Sequence, residues 1–150
     1  MTRRDRRQMG FPDDGGAARM FESRHISIRI HRSADEVYAF TRDPESFTKW
    51  AAGLASGLTQ DGDRWIAHGP GGDVHVTFSD PNAYGILDHW VTLPDGTELY
   101  MPLRVVANGE GAEVVMTLYR PPGMFDDAAF ARDAAAVARD LAKLKALVEA

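Results

Sequence analysis

Residues 25–50 read HISIRIHRSADEVYAFTRDPESFTKW. Ile26, Ile28 and Ile30 alternate with Ser27 and Arg29, the period-two pattern of a half-buried strand. Ser33-Ala34-Asp35-Glu36 then reads as a capping box, because a Ser hydroxyl can accept from the third helical amide while the Glu reaches back. The short helix that follows carries Val37 and Phe40 on one side. Asp43-Pro44 closes it and opens another, Asp43 as cap and Pro44 at the first helical position, where its missing N–H costs nothing. Phe47 and Trp50 stand three apart on this second helix. A strand followed at once by two short helices, with no long crossover, argues against a βαβ unit.

Downstream of Trp50 the chain is a series of apolar alternations separated by turn residues. A weak strand around Gly53–Thr59 precedes the turn Gln60–Asp63. Strands are expected at Arg64–His68, Asp73–Ser79, Tyr84–Leu93, Glu98–Ala107 and Ala112–Arg120. The connections Gly69–Gly72, Asp80–Ala83, Pro94–Gly96 and Asn108–Gly111 are of hairpin length, which implies an antiparallel meander. Pro121-Pro122-Gly123 ends it. Asp126 then caps a helix running to about Val148, roughly 33 Å long. Phe130, Ala134, Val137, Leu141, Leu144 and Val148 are spaced four or three apart and form one apolar stripe. Phe125 and Phe130 suit a hydrophobic staple. The expected fold is α+β: a curved antiparallel sheet of about seven strands against one long C-terminal helix.

The chain has 150 residues, 44% of them hydrophobic. That suits one domain, with roughly 70% of the unfolded surface buried. No cysteine is present, so disulfides, thiolate metal sites and a cysteine nucleophile are excluded. The net charge is −5, and five Arg against three Asp in residues 1–20 leave the rest of the chain still more acidic. An acidic domain repels phosphate backbones, so nucleic acid is not expected as a partner. No apolar run approaches the ~20 residues of a membrane span. Residues 1–20 mix arginines with Pro12, Asp13, Asp14, Gly15 and Gly16 and lack periodicity. They read as a disordered tail, with Met1 and Met20 both open as the start, and the folded domain as 21–150. The expected setting is cytoplasmic, as a monomer or weak homodimer.

HISIRIHRSADEVYAFTRDPESFTKW, RWIAHGPGG (64–72) and VVMTLYRPPG (114–123) resemble the START-like superfamily, also labelled SRPBCC or polyketide cyclase-like. YGILDHWVTLPDGTELYMPLRVVANGEGAEVVMTLYR (84–120) resembles a bacterial subgroup of it without a defined activity. The resemblance spans about residues 21–148. It implies a helix-grip fold whose cavity, between sheet and helix, takes hydrophobic small molecules. It implies no invariant catalytic set, and one fold hosts many functions.

Strand parity selects the inward side chains. The apolar sets are Ile26, Ile28 and Ile30; Trp65 and Ala67; Val74, Val76 and Phe78; Leu87, Val91 and Leu93; Leu99, Met101, Leu103 and Val105; and Val114, Met116 and Leu118. Turn lengths predict Val76 opposite Leu87, Val91 opposite Met101 and Val105 opposite Val114. Candidate ligand contacts are Trp65, Val76, Phe78, His89, Val91, Met101, Leu103, Met116, Phe130 and Val137. His89 is the one polar residue of the inward set, opposite Val74 and Leu103 in these registers. It is a candidate general base or ligand anchor. Alternatively it is a core histidine satisfied by backbone, Tyr38 or water. Asp88, on the other face, is expected across from His75 and Arg104 as an exposed ion cluster of little energetic weight. Trp90 and Tyr100 point outward. The five histidines (25, 31, 68, 75, 89) lack metal-ligand spacing, and Gly69–Gly72 joins strands rather than opening a helix, so no metal and no cofactor is expected. The leading reading is binding or transport of a small apolar or aromatic molecule. A cyclase or dehydratase using His89, and an interaction module using Trp90 and Tyr100, are the competing ones.

Overall fold

The protein is described here by a computed structural model covering residues 20–54, 57–69 and 71–150. The tail assigned to residues 1–20 falls, apart from Met20, outside the described residues. Strand β1 (Glu22–Ile30) is followed by helices α1 (Ala34–Thr41) and α2 (Pro44–Trp50) and a 3₁₀ turn at Ala52–Leu54. Both short helices start as their sequences dictate. The Ser33 hydroxyl accepts from the Glu36 amide at 3.2 Å, and the Asp43 carboxylate accepts from the Glu45 amide at 3.0 Å. Strands β2 (Thr59–Asp61), β3 (Arg64–Gly69), β4 (Gly72–Phe78), β5 (His89–Thr92), β6 (Glu98–Met101), β7 (Leu103–Asn108) and β8 (Gly111–Arg120) lead to helix α3 (Asp127–Glu149). The Asp126 carboxylate caps α3 through the Ala129 amide at 2.7 Å.

All strand pairs are antiparallel, in the orders β2-β3-β4-β5-β6 and β1-β8-β7. The two sheets are stitched where Gly85–Leu87 runs beside β7. Leu87 N donates to Leu103 O at 2.8 Å, and Val105 N donates to Gly85 O at 2.9 Å. A long-helix, antiparallel-sheet architecture is therefore present, with eight strands among the described residues. The apolar stripe of α3 faces inward as its spacing requires: Phe130, Val137, Leu141 and Leu144 are buried. Val137, Leu141 and Leu144 share one core with Ile30, Leu103, Val105, Val114 and Met116 from the three-stranded sheet and Phe47 and Trp50 from α2.

Three strands differ from the sequence reading. Of the weak strand expected at Gly53–Thr59, residues 55–56 lie outside the described residues, Gly53 and Leu54 belong to the 3₁₀ turn, and Thr59 opens β2. Tyr84–Leu93 shortens to β5, because Asn82 organises the preceding loop: its side chain accepts from the Tyr84 and Ile86 amides and donates to the Asp80 and Ile86 carbonyls. Glu98–Ala107 divides at Pro102, which has no N–H to continue a ladder and lies between β6 and β7.

The registers shift accordingly. Val76 pairs with Val91, not Leu87, and Met101 pairs with His89, not Val91. His89 thus lies opposite Phe78 and Met101 rather than Val74 and Leu103. Both shifts are even-numbered, so the parity of Val76, His89, Val91 and Met101 is kept. Val105 does pair with Val114.

Candidate ligand-binding site

Pro102 decides where the fold opens. Strand β7 covers β8 only from Gly111 to Met116, and the last main-chain link on that side is Thr117 N to Pro102 O at 3.0 Å. Beyond it β6 and the end of β8 are not paired with each other. A cavity of about 620 Å³ lies at this gap. Leu99 and Met101 of β6, Leu118 of β8 and Val137 of α3 form its apolar wall. Met20, Phe21, Pro121 and Phe125 extend that wall. The volume falls within the range of about 300–1,000 Å³ typical of small-molecule sites.

Residues of both strand faces line the cavity, because an unpaired edge beside a gap exposes its two sides. Glu98 and Tyr100 join Leu99 and Met101 along β6, and Tyr119 joins Leu118 on β8. The Tyr100 and Tyr119 rings stack with centroids 6.3 Å apart, and Trp90 lies 5.5 Å from Tyr100 on the other side. On α3, Asp133, Ala136, Val137 and Asp140 contribute from one helical face, their spacing of three, one and three matching neighbouring turns. Asp140 Oδ1 accepts from the Ala52 amide at 3.3 Å. Burial raises the Asp140 carboxyl above its ordinary value, against the opposing effects of that amide, Arg139 and Lys143. Burial raises the Glu98 carboxyl as well.

Parity alone did not reveal Glu98, Tyr100, Tyr119, Asp133 or Asp140. Pro102 within an otherwise continuous strand was the available signal, since proline in a strand marks an edge or an interruption.

Of the ten candidate contacts, Met101 and Val137 line this cavity. Trp65 and Phe78 line a second hollow of about 450 Å³, with Tyr38, Arg42 and Ser79 among its other walls. Val76, Leu103, Met116 and Phe130 are buried core side chains, and Val91 is half-buried in β5. His89, 7% exposed, is not among the lining residues of either cavity. Its ring lies 5.6 Å from Phe47 and 6.0 Å from Phe78, with Nδ1 3.1 Å from Leu87 O. A carbonyl only accepts, so the neutral tautomer carries its proton on Nδ1. Burial lowers the His89 pKa, outweighing the Leu87 carbonyl and the nearby Asp88 charge. Tyr38 does not serve His89: its hydroxyl accepts from the Asn82 amide at 2.9 Å.

Asp88 corrects the sequence reading. It is 5% exposed, not a solvated surface charge. His75 pairs with Thr92 instead. The Asp88 carboxylate accepts from Arg104 Nε and Nη2, each at 2.8 Å, from the Leu103 amide at 3.0 Å and from the Tyr100 hydroxyl at 2.7 Å. Burial pushes its pKa up, but these hydrogen bonds and the Arg104 charge outweigh it and hold the carboxyl below its ordinary value. Burial and Asp88 push the Tyr100 hydroxyl up to about 12. Tyr100 is therefore not a free outward aromatic: its oxygen is fixed to Asp88 while the residue lines the cavity.

No helix among the described residues is long and apolar enough to cross a membrane. No group of three or more His, Asp or Glu among them is placed to hold a metal ion.

A long helix over antiparallel strands, with an apolar hollow between them, defines a START-like helix-grip protein. The chain belongs to the polyketide cyclase / dehydrase and lipid transport family, whose model matches residues 23–149. No curated protein matches the sequence. Solved structures share the fold at low identity. An uncharacterised protein from Bacillus thuringiensis is 12% identical, with a TM-score of 0.67 over 85% of this chain and 98% of that one. A START superfamily protein from Mycobacterium smegmatis is 14% identical, with a TM-score of 0.61 over 85% and 97%. DynU16, from the dynemicin biosynthetic locus, is 16% identical, with a TM-score of 0.66 over 85% of this chain and 47% of its own.

Proposed function

We propose that the protein binds a small hydrophobic or aromatic molecule in the hollow bounded by β6, β8 and α3. The observation that carries this reading is the cavity of about 620 Å³ with an apolar wall of Leu99, Met101, Leu118, Phe125 and Val137. Apolar surface held open to solvent is a standing cost that a guest of matching character removes, at roughly 25 cal/mol per Å² covered. Membership of a family described by both cyclisation and lipid transport supports a ligand-binding role. His89, walled by Phe47 and Phe78 and outside the cavity lining, supports binding rather than catalysis by that residue.

The test is titration with the neutral apolar fluorophore N-phenyl-1-naphthylamine, alongside native mass spectrometry of freshly purified protein for a retained guest. Saturable one-to-one binding that Ala136→Phe weakens is expected, because Ala136 lines the cavity and a phenyl group there narrows it. Binding of the fluorophore unaffected by Ala136→Phe would place the ligand elsewhere.

A further inference from the structure

From the charges around the cavity we infer that its preferred guest is an apolar molecule carrying one cationic group, such as a protonated amine, rather than a carboxylate or a neutral lipid. This deepens the binding reading above and rests on it. The cavity is defined by its apolar wall. The charged side chains in that wall are all acidic. Glu98 comes from β6, and Asp133 and Asp140 from α3, while no Lys, Arg or His is among the lining residues. Asp133 and Asp140 are two helical turns apart, roughly 10 Å along the axis. Glu98 stands on the sheet side and Asp140 on the helix side, both half-buried, so carboxylates occupy opposing walls, with Asp133 exposed at the rim.

Neighbouring cations do not cancel this field from within. Arg120 is held outside by Asp127 at 2.6 Å, Glu22 at 3.3 Å and the Phe125 carbonyl at 3.0 Å. Arg139 and Lys143 act on Asp140 from exposed positions on the same helix. Burial disfavours the ionised form of Asp140 and Glu98, and a cation brought into the hollow reverses that penalty. The Tyr119 ring, stacked on Tyr100 and lining the cavity, adds a face on which an ammonium is attracted by the ring quadrupole. Tyr100 Oη is already committed to Asp88, so that hydroxyl does not compete with the carboxylates for a guest's ammonium. A carboxylate-bearing guest meets only like charge.

The experiment is calorimetric titration of the full chain at neutral pH with three probes on one naphthyl frame: 1-naphthylmethylamine, 1-naphthalenemethanol and 1-naphthylacetate. The ammonium is expected to bind roughly tenfold tighter than the alcohol, about 1.4 kcal/mol, with the carboxylate weakest. In Glu98→Gln/Asp140→Asn the advantage of the ammonium over the alcohol is expected to disappear, while Asn still accepts from the Ala52 amide. Equal affinity of ammonium and alcohol, or an ammonium preference that survives the double variant, overturns the charge selectivity and leaves the apolar site standing. Failure of all three probes to bind, with the thermal transition intact, overturns the binding reading and this inference with it.

Discussion

Asp88 and Arg104 meet as a two-pronged pair, Nε on Oδ1 and Nη2 on Oδ2, each at 2.8 Å. The pair lies where the two sheets join, beside the Leu103 amide that the same carboxylate accepts. Arg104 is half exposed, its side chain 47% accessible against 7% for Asp88, so solvent screens part of the attraction. The value of Asp88 lies as much in the amide and the Tyr100 hydroxyl it satisfies. Asp88→Ala is therefore expected to cost about 3–5 kcal/mol in urea unfolding, because it orphans several donors at once. A loss under about 0.5 kcal/mol would mark the cluster as a surface ornament.

Asp88 also sets an acid limit. Its folded pKa is depressed, so its contribution is complete above the unfolded value of about 3.9 and is lost as pH falls through the folded one. Melting curves should show the wild type losing stability below about pH 4 more steeply than Asp88→Asn. Parallel curves for the two proteins would contradict the assignment.

His89 acts in a higher window. Its folded pKa is lowered by burial, so the unfolded chain takes up a proton that the folded one refuses. Stability should decline as pH falls below about 6.5, the unfolded value, down to the folded one. His89→Phe should remove that part of the slope while changing neutral-pH stability little, since Phe47 and Phe78 already flank the ring. Affinity for a cavity ligand should stay within about twofold, well under the tenfold that 1.4 kcal/mol represents. A large selective loss of ligand binding would bring His89 back as a contact residue.

Gly85 has φ +71, and a Cβ built there falls 2.2 Å from Val105 O. The same contact carries the Val105 N to Gly85 O hydrogen bond that stitches the sheets. Gly85→Ala combines backbone strain with a clash against rigid main chain. It is expected to destabilise by about 2–4 kcal/mol, beyond the 1 kcal/mol scale of an ordinary Gly→Ala change. An unchanged denaturation midpoint would show that the joint can open without cost.

Leu141, 1% exposed, sits in the middle of the α3 stripe. Leu141→Ala should cost about 2–5 kcal/mol in equilibrium unfolding, the range for truncating a buried leucine. A surface-like change would mean that α3 is not the element holding the sheet closed.

Sequence by itself determined the parts governed by local rules. Ser33, Asp43 and Asp126 start their helices because a short polar side chain there satisfies a free amide. The stripe from Phe130 to Val148 and the alternation Ile26, Ile28, Ile30 fix the buried faces, because helix and strand periods are properties of the backbone. Even the wrong registers kept Val76, His89, Val91 and Met101 in one parity set, since parity survives an even shift. Tertiary structure decided the rest. The break at Pro102 places β6 at the edge of one sheet and β7 at the edge of the other, and that separation opens the hollow beside Tyr100 and Tyr119. Asp88 becomes a buried junction because Gly85–Leu87 crosses from one sheet to the other. Glu98 and Asp140 are far apart in the chain, and what brings them to one cavity is the packing of α3 across the gap, a long-range contact that no local pattern encodes.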